Sequence, residues 1–307
     1  YVGKPPELGT DVFAMDTGSN SATIPTFDSG FPVDFAFQKL YASSEDWYTS
    51  ARLMQGKYFF TNTSDAQSSS GNMVFDSNAG WALDSQSTYQ SWMWKRHAGF
   101  DVVCYSGNGG TSGGRRIRHS LAQKPQMIFI KHRNSANYNW AVYHEGLNGG
   151  TNPEQKYLHL NTNDSQSTLS NVWNDMPPTS NDFVIGSNDM VNNGNQPFIA
   201  MLFASVDGIS KVGSYSGTGS AVTVTTGFLP RFVIIKRVDS GSNWVLLDSL
   251  RGLQTTSDSI LRLDMSDAQY GSSDNVQTSS TGFTVPVGPG AFNNGDTAGR
   301  WIYYAHA

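Results

Sequence analysis

The sequence predicts an all-β protein built from three tandem β-sandwich modules of jelly-roll or lectin-like type, each of about 100 residues. Three observations carry that expectation: a composition of strand and turn formers, apolar runs with strand periodicity, and an internal repeat. Of 307 residues, 31 are glycine, Ser, Asn, Asp and Thr abound, and long Leu/Ala/Glu/Lys stretches are absent. Such residues punctuate short strands with turns. Alternation in "RFVIIKR" (231–237) and "KYLHLNT" (156–162) fits strands with one buried face, whereas the fully apolar "FIAMLFA" (198–204) fits a central strand covered on both sides.

The repeat is plainest in "AQKPQMIFIKHRNSANYNWAVYHEG" (122–146) and "GFLPRFVIIKRVDSGSNWVLLDSLRG" (227–252). Each reads as proline, an apolar run closed by lysine, a polar loop, then Asn-Trp and a second apolar run. Matching elements surround them in order. "DVVCYSGNG" (101–109) and "KVGSYSGTG" (211–219) open the copies, "KYLHLNTND" (156–164) and "ILRLDMSDA" (260–268) follow, and "PFIAMLFAS" (197–205) and "RWIYYAHA" (300–307) close them. A more worn first copy runs from "DVFAMDTGS" (11–19) through "GFPVDFAFQK" (30–39), "DWYTSAR" (46–52), "KYFFTNTSDA" (57–66) and "GWALDS" (80–85) to "YQSWMWKR" (89–96). Pro32 to Trp47 and Pro125 to Trp140 are each 15 positions, and Pro230 to Trp244 is 14. These six residues anchor the repeat. A period near 100 exceeds that of solenoids or propeller blades, so each copy is expected to be a sandwich of its own. The modules are placed at 1–99 (the divergent copy), 100–208 and 209–307. Trp47, Trp140 and Trp244 read either as core anchors between sheets or as sugar-stacking platforms.

A net charge of -5, a pI near 5.6 and 15% charged residues predict no basic face for nucleic acid. No apolar run approaches the roughly 20 residues of a membrane helix. The single cysteine, Cys104, cannot form an internal disulfide and reads as a small buried strand residue. No signal peptide is visible, and the sequence starts at Tyr1.

Candidate chemistry is sparse. "GSYSG" (213–217) resembles a nucleophile elbow but carries Tyr215 at its centre, and the glycine-rich "YSGNGGTSGG" (105–114) has no P-loop lysine. His119, His132, His144 and His159 lack zinc-ligand spacing and read as solvated or strand-edge residues. The glutamates, Glu7, Glu45, Glu145 and Glu154, form no strand-borne acid pair for glycoside hydrolysis. One loop repeats its oxygen donors: Asn62, Thr63 and Asp65; Asn161, Asn163 and Asp164; Asp264, Ser266 and Asp267. Turn capping explains them, and calcium is the alternative. No catalytic residue and no cofactor other than that calcium is expected.

Tyr105, Gly107, Pro125, Lys131 and Trp140 in the second copy, with Tyr215, Gly217, Pro230, Lys236 and Trp244 in the third, form a pattern that resembles the tandem lectin-like (concanavalin-like) repeats of marine phage and cyanophage virion proteins, tail and fibre proteins among them. The resemblance covers nearly the whole chain. In the first copy Asp34 interrupts the apolar run, Met15 replaces the opening Tyr, and "KRHAGF" follows the last strand. The resemblance implies a non-enzymatic structural or adhesive virion protein, located on the particle or outside the cell. Its partners would be other virion proteins, further copies of itself and host surface glycans, without nucleic acid or membrane insertion. The alternatives are a capsid-decorating or adaptor protein without glycan binding, and a polysaccharide depolymerase. Partner contacts are expected from loops at one end of each sandwich. The copies differ in such stretches: "GNGGTSGGRRIRHSLAQ" (107–123) against "GTGSAVTVTTGF" (217–228), and "GLNGGTNPEQ" (146–155) against "RLMQG" (52–56).

Overall fold

Three six-stranded antiparallel sheets of identical strand order make up most of the protein in this computed structural model. It describes residues 6–18, 24–70, 73–83, 88–110, 113–121, 123–273, 275–288, 292–293 and 297–307. Tyr1, Ser19, Asp84, Ser85, Thr111, Ser112 and Ala122, each part of a stretch quoted above, lie outside the described residues.

In space the first sheet runs Phe13–Thr17, Tyr89–Trp94, Phe35–Leu40, Tyr48–Ala51, Lys57–Phe60, Ser68–Ser69. The second runs Phe100–Ser106, Pro197–Phe203, Met127–His132, Ala141–His144, Lys156–His159, Ser167–Thr168. The third runs Ser210–Ser216, Arg300–His306, Phe232–Arg237, Val245–Asp248, Asp258–Arg262, Tyr270–Ser273. In each, the closing strand slots between the opening strand and the lysine strand. Lys39 therefore stands opposite Gln90, Lys131 opposite Ile199, and Lys236 opposite Ile302. A small sheet covers the outward face of each large one: Phe27–Asp28 with Gly80–Trp81, Arg115–Arg118 with Asp182–Ile185, and Val222–Thr225 with Gly282–Val285 and Gln277–Ser279.

Each large sheet with its small partner encloses an outer core of its own. The inward faces of all three large sheets meet in one shared core, a feature that separate sandwiches would not have. "FIAMLFA" shows why that strand is apolar throughout: Phe198, Ala200 and Leu202 face the outer core of the second repeat, and Ile199, Met201 and Phe203 face the shared one. The closing strands touch there. The Trp94 and Phe203 rings lie 6.4 Å apart, Phe203 and Tyr304 5.0 Å apart, and the Trp94 indole bonds the Tyr304 hydroxyl at 3.3 Å.

Equivalent hydrogen bonds tie each repeat to the next. The indole N–H of Trp47 donates to Arg262 O (2.8 Å), that of Trp140 to Phe60 O (3.1 Å) and that of Trp244 to His159 O (2.8 Å). The backbone N–H of Gln67 donates to Arg133 O, that of Gln166 to Val238 O and that of Gln269 to Tyr41 O. First bonds second, second bonds third, and third bonds first, so the ring is closed. Tight turns join the copies in sequence, where His97 pairs with Phe100 and Val206 with Ser210.

The register corrects several expectations. Phe13 stands opposite Trp94 as Phe100 stands opposite Phe203, so Met15 corresponds to Val102 and packs against the shared core. Gly18 falls where Tyr105 stands. Cys104 is exposed rather than buried, because it lies on the outermost strand of its sheet. His132 and His144 are buried, not solvated, since their strands are central ones with a core on each side. The two variable stretches leave opposite ends of the strands, 107–123 after Ser106 (paired with Pro197) and 146–155 after His144 (paired with Met127).

Candidate functional site

The repeat anchors are parts of the frame. Trp47, Trp140 and Trp244 are buried in the shared core, which leaves no ring face for a sugar. Each backbone N–H is capped by the oxygen-rich loop that follows: Asn62, Asn161 and Asp264 accept from Trp47, Trp140 and Trp244, all at 3.0 Å. Pro125 and Pro230 are buried and Pro32 is exposed, each just before its lysine strand. Tyr105 and Tyr215 stack on Phe198 and Trp301 and donate their hydroxyls to Val191 O and Phe292 O.

The cation at these loops is a lysine. Lys39, Lys131 and Lys236 are fully buried, and burial lowers each ammonium from its usual range to about 8. Lys236 Nζ donates to Asn163 O and Ser242 O, Lys39 Nζ to Glu45 O and Ser266 O, and Lys131 Nζ to the carbonyls of His132, Ser135 and Tyr138. For Lys39 and Lys236 the acceptors span two repeats. Asp164 accepts from the Thr162 hydroxyl at 2.8 Å, and Asp267 pairs with Arg262. Asn161, Asp164, Asp264 and Asp267 thus have side-chain partners, and Asn163 accepts through its backbone carbonyl. Among the described residues no three His, Cys, Asp or Glu gather into a metal-holding group.

A concave site occurs on the outward side of the first repeat, the copy that departs most from the pattern. It is a cleft of about 580 Å³ lined by Arg52, Gln55, Gly56, Ser69, Ser70 and the segment 73–76. The strand Tyr48–Ala51 ends in a short helical turn, Arg52–Met54, and Gln55 and Gly56 (φ 55° and 79°) reverse the chain into Lys57–Phe60. Glycine suits that second left-handed position. Arg52 ties the walls together: its guanidinium donates to Phe75 O and to Val33 O (2.7 Å) and lies 3.5 Å from Asp34. Met73 and Phe75 form an apolar floor, and Gln55, Ser69 and Asp76 are exposed on the rim.

The sheet beneath that outer layer is also unlike the others. Asp16, Ser91, Gln38 and Tyr48 lie side by side across its outward face. The second repeat places Val103, Ala200, Ile130 and Ala141 in that row, and the third Gly213, Tyr303, Ile235 and Val245. Gln38 is fully buried, and neither amide atom has a hydrogen-bond partner among the described residues. Tyr48, Tyr58 and Phe60 form a half-buried aromatic cluster, with centroids 5.1–5.5 Å apart, where the small sheet has only two residues per strand. Sequence reasoning passed over the cleft because its walls come from stretches far apart in the chain. The departure of the sheet beneath did leave a signal: polar residues stand where the other copies carry Ile or Ala.

Fold and site together define an all-β protein of three repeated sheets closed around one core, with one copy modified on its outer side. The chain belongs to a family described as a domain of unknown function (DUF7483), whose match covers residues 13–307 and so spans all three sheets. No curated protein and no solved structure matches it.

Proposed function

We propose that the protein is a non-enzymatic structural and adhesive component of a marine phage virion, a tail or fibre part that contacts the host surface, with the first-repeat cleft as a saccharide contact. The observation that carries this reading is the cleft itself. A sugar presents hydroxyls along its edge; the cleft turns Arg52, Gln55, Ser69, Ser70 and Asp76 toward them, over a floor closed by the buried Met73 and Phe75. Its volume lies within the range of small-ligand sites, roughly 300–1,000 Å³. Glycoside hydrolysis needs two free carboxyl groups, and here Asp76 stands on the rim while Asp34 is held by Arg52 and the Arg96 N–H. The virion setting rests on the repeat motifs. Further copies of the chain and other virion proteins would supply multivalency to a weak single site.

The test is a glycan array probed with the full chain and with Ser69→Trp, which fills the mouth of the cleft at an exposed position. Binding by the parent and its loss in the variant supports the reading. Sugar released from host polysaccharide by the parent but not by Asp76→Asn would replace it with a depolymerase.

A further inference from the structure

The net charge of -5 hides a local exception: residues 95–124 hold six of the 20 Lys and Arg and one of the 25 Asp and Glu. Three of these cations stand in line on the outer surface of the second repeat. Arg116 and Arg118 are two apart on the strand Arg115–Arg118, so they project from the same face about 7 Å apart, and Ile117 between them turns into the outer core. Ser120 continues the line, and its hydroxyl accepts a hydrogen bond from Arg96 at 3.1 Å.

Two carboxylates flank the line: Asp101 lies buried beneath it, and Asp182 stands directly across the ladder from Arg118 on the same outward face. Asp101, 3% exposed, holds Arg96 and the N–H and hydroxyl of Ser120, and Asp182, 17% exposed, holds Arg116 at 2.7 Å. The Arg96 and Arg116 side chains are 41% and 52% exposed. Arg118 is exposed, and its guanidinium makes no hydrogen bond or ion pair among the described residues. Arg96, Arg116 and Arg118 thus outnumber the one partly exposed carboxylate among them, and Asp101 and Asp182 hold Arg96 and Arg116 in place. The corresponding strand of the third repeat is Val222–Thr225, and that of the first is Phe27–Asp28.

We infer that this arginine stripe binds a linear anionic polysaccharide through its carboxylate or sulfate groups, an inference that rests on the host-surface reading above and names the chemistry of the surface polymer. The planar guanidinium fork pairs two N–H groups with two oxygens of such anions. The stripe is one strand wide on an acidic chain. A thin anionic chain can follow it, whereas a nucleic acid duplex would press phosphates against the acidic remainder.

The test is titration of the full chain with alginate (a polyuronate), dextran sulfate and neutral dextran at low and moderate salt. Alginate or dextran sulfate should bind, more weakly as salt rises, and neutral dextran should not. Arg118→Gln leaves no partner behind and should keep the parent melting temperature; it should weaken binding severalfold, and Arg116→Gln/Arg118→Glu tenfold or more. Equal binding of neutral dextran, undiminished binding by the double variant, or displacement of alginate by short duplex DNA at lower concentration overturns the inference. Ser69→Trp separates the two sites. If it abolishes alginate binding, the cleft and not the stripe is the polyanion site; if only the array signal is lost, the stripe stands.

Discussion

Trp140 donates its indole N–H to the carbonyl of Phe60 in the preceding repeat, 80 positions earlier, at 3.1 Å. The same bond recurs from Trp244 to His159 and from Trp47 to Arg262, so every repeat both gives and receives one.

Trp140→Phe is expected to lower stability by about 0.5–1.5 kcal/mol, because it removes the donor of the partly buried Phe60 carbonyl. Trp140→Ala should cost about 3–5 kcal/mol through the cavity it opens. Urea unfolding followed by circular dichroism checks both. A single transition is expected in each case, since the shared core couples the repeats. A fragment of residues 100–208 should bind hydrophobic dye or aggregate, as Met127, Phe129, Trp140, Met201 and Phe203 would lose their cover.

Gln38→Ile should raise stability by about 1–3 kcal/mol, because a fully buried amide with no partner is replaced by the side chain that the other two repeats carry at that position. Chemical denaturation is the measurement. A loss of stability would mean that Gln38 is bonded through ordered water.

Acid should destabilise the protein through its buried imidazoles. His97 and His144 are held neutral by burial, with pKa lowered to about 4, and His306 lies well below its ordinary range for the same reason. His97 and His306, 6.5 Å apart between ring centres, bring the first linker against the last strand, and His144 donates across to Tyr303 O. The unfolded chain takes up these protons near pH 6.5 and the folded chain does not, so stability is full above that pH and falls as pH drops toward 4. The loss for each of His97 and His144 is on the order of 3 kcal/mol. Melting temperature against pH should show the fall, and His144→Gln should flatten it.

Alkali should act in the opposite sense at the three lysines. Their folded pKa values near 8 lie below those of the unfolded chain, so stability should rise as pH climbs from about 8 toward 10.5. Lys236→Met should remove part of that rise in a thermal melt series.

The strands and their order within a copy were legible, because proline, lysine and tryptophan recur at fixed spacing and alternation marks the faces. The closure was not. An indole that bonds its own repeat and one that bonds its neighbour leave the same sequence, and the interior position of the tryptophans fits either. The donors in "NTNDS" were visible as capping residues, but that Lys236 of the next copy would occupy the Asn163 carbonyl was not. The stripe left its trace in "RRIR", which whole-chain charge averages away, and the polar sheet of the first copy left one at Gln38.

A chain whose copies bond head to tail in a circle cannot grow as a stacked array grows. A fourth copy would have no place in the circle, and two copies would leave one tryptophan indole and one glutamine backbone N–H without their acceptors, one at each open end. The number of copies is therefore set by geometry, and novelty has to be written on the outside, one copy at a time. The first copy has been edited at its outer sheet and the second along an outer strand, while the axis between them stays as it is.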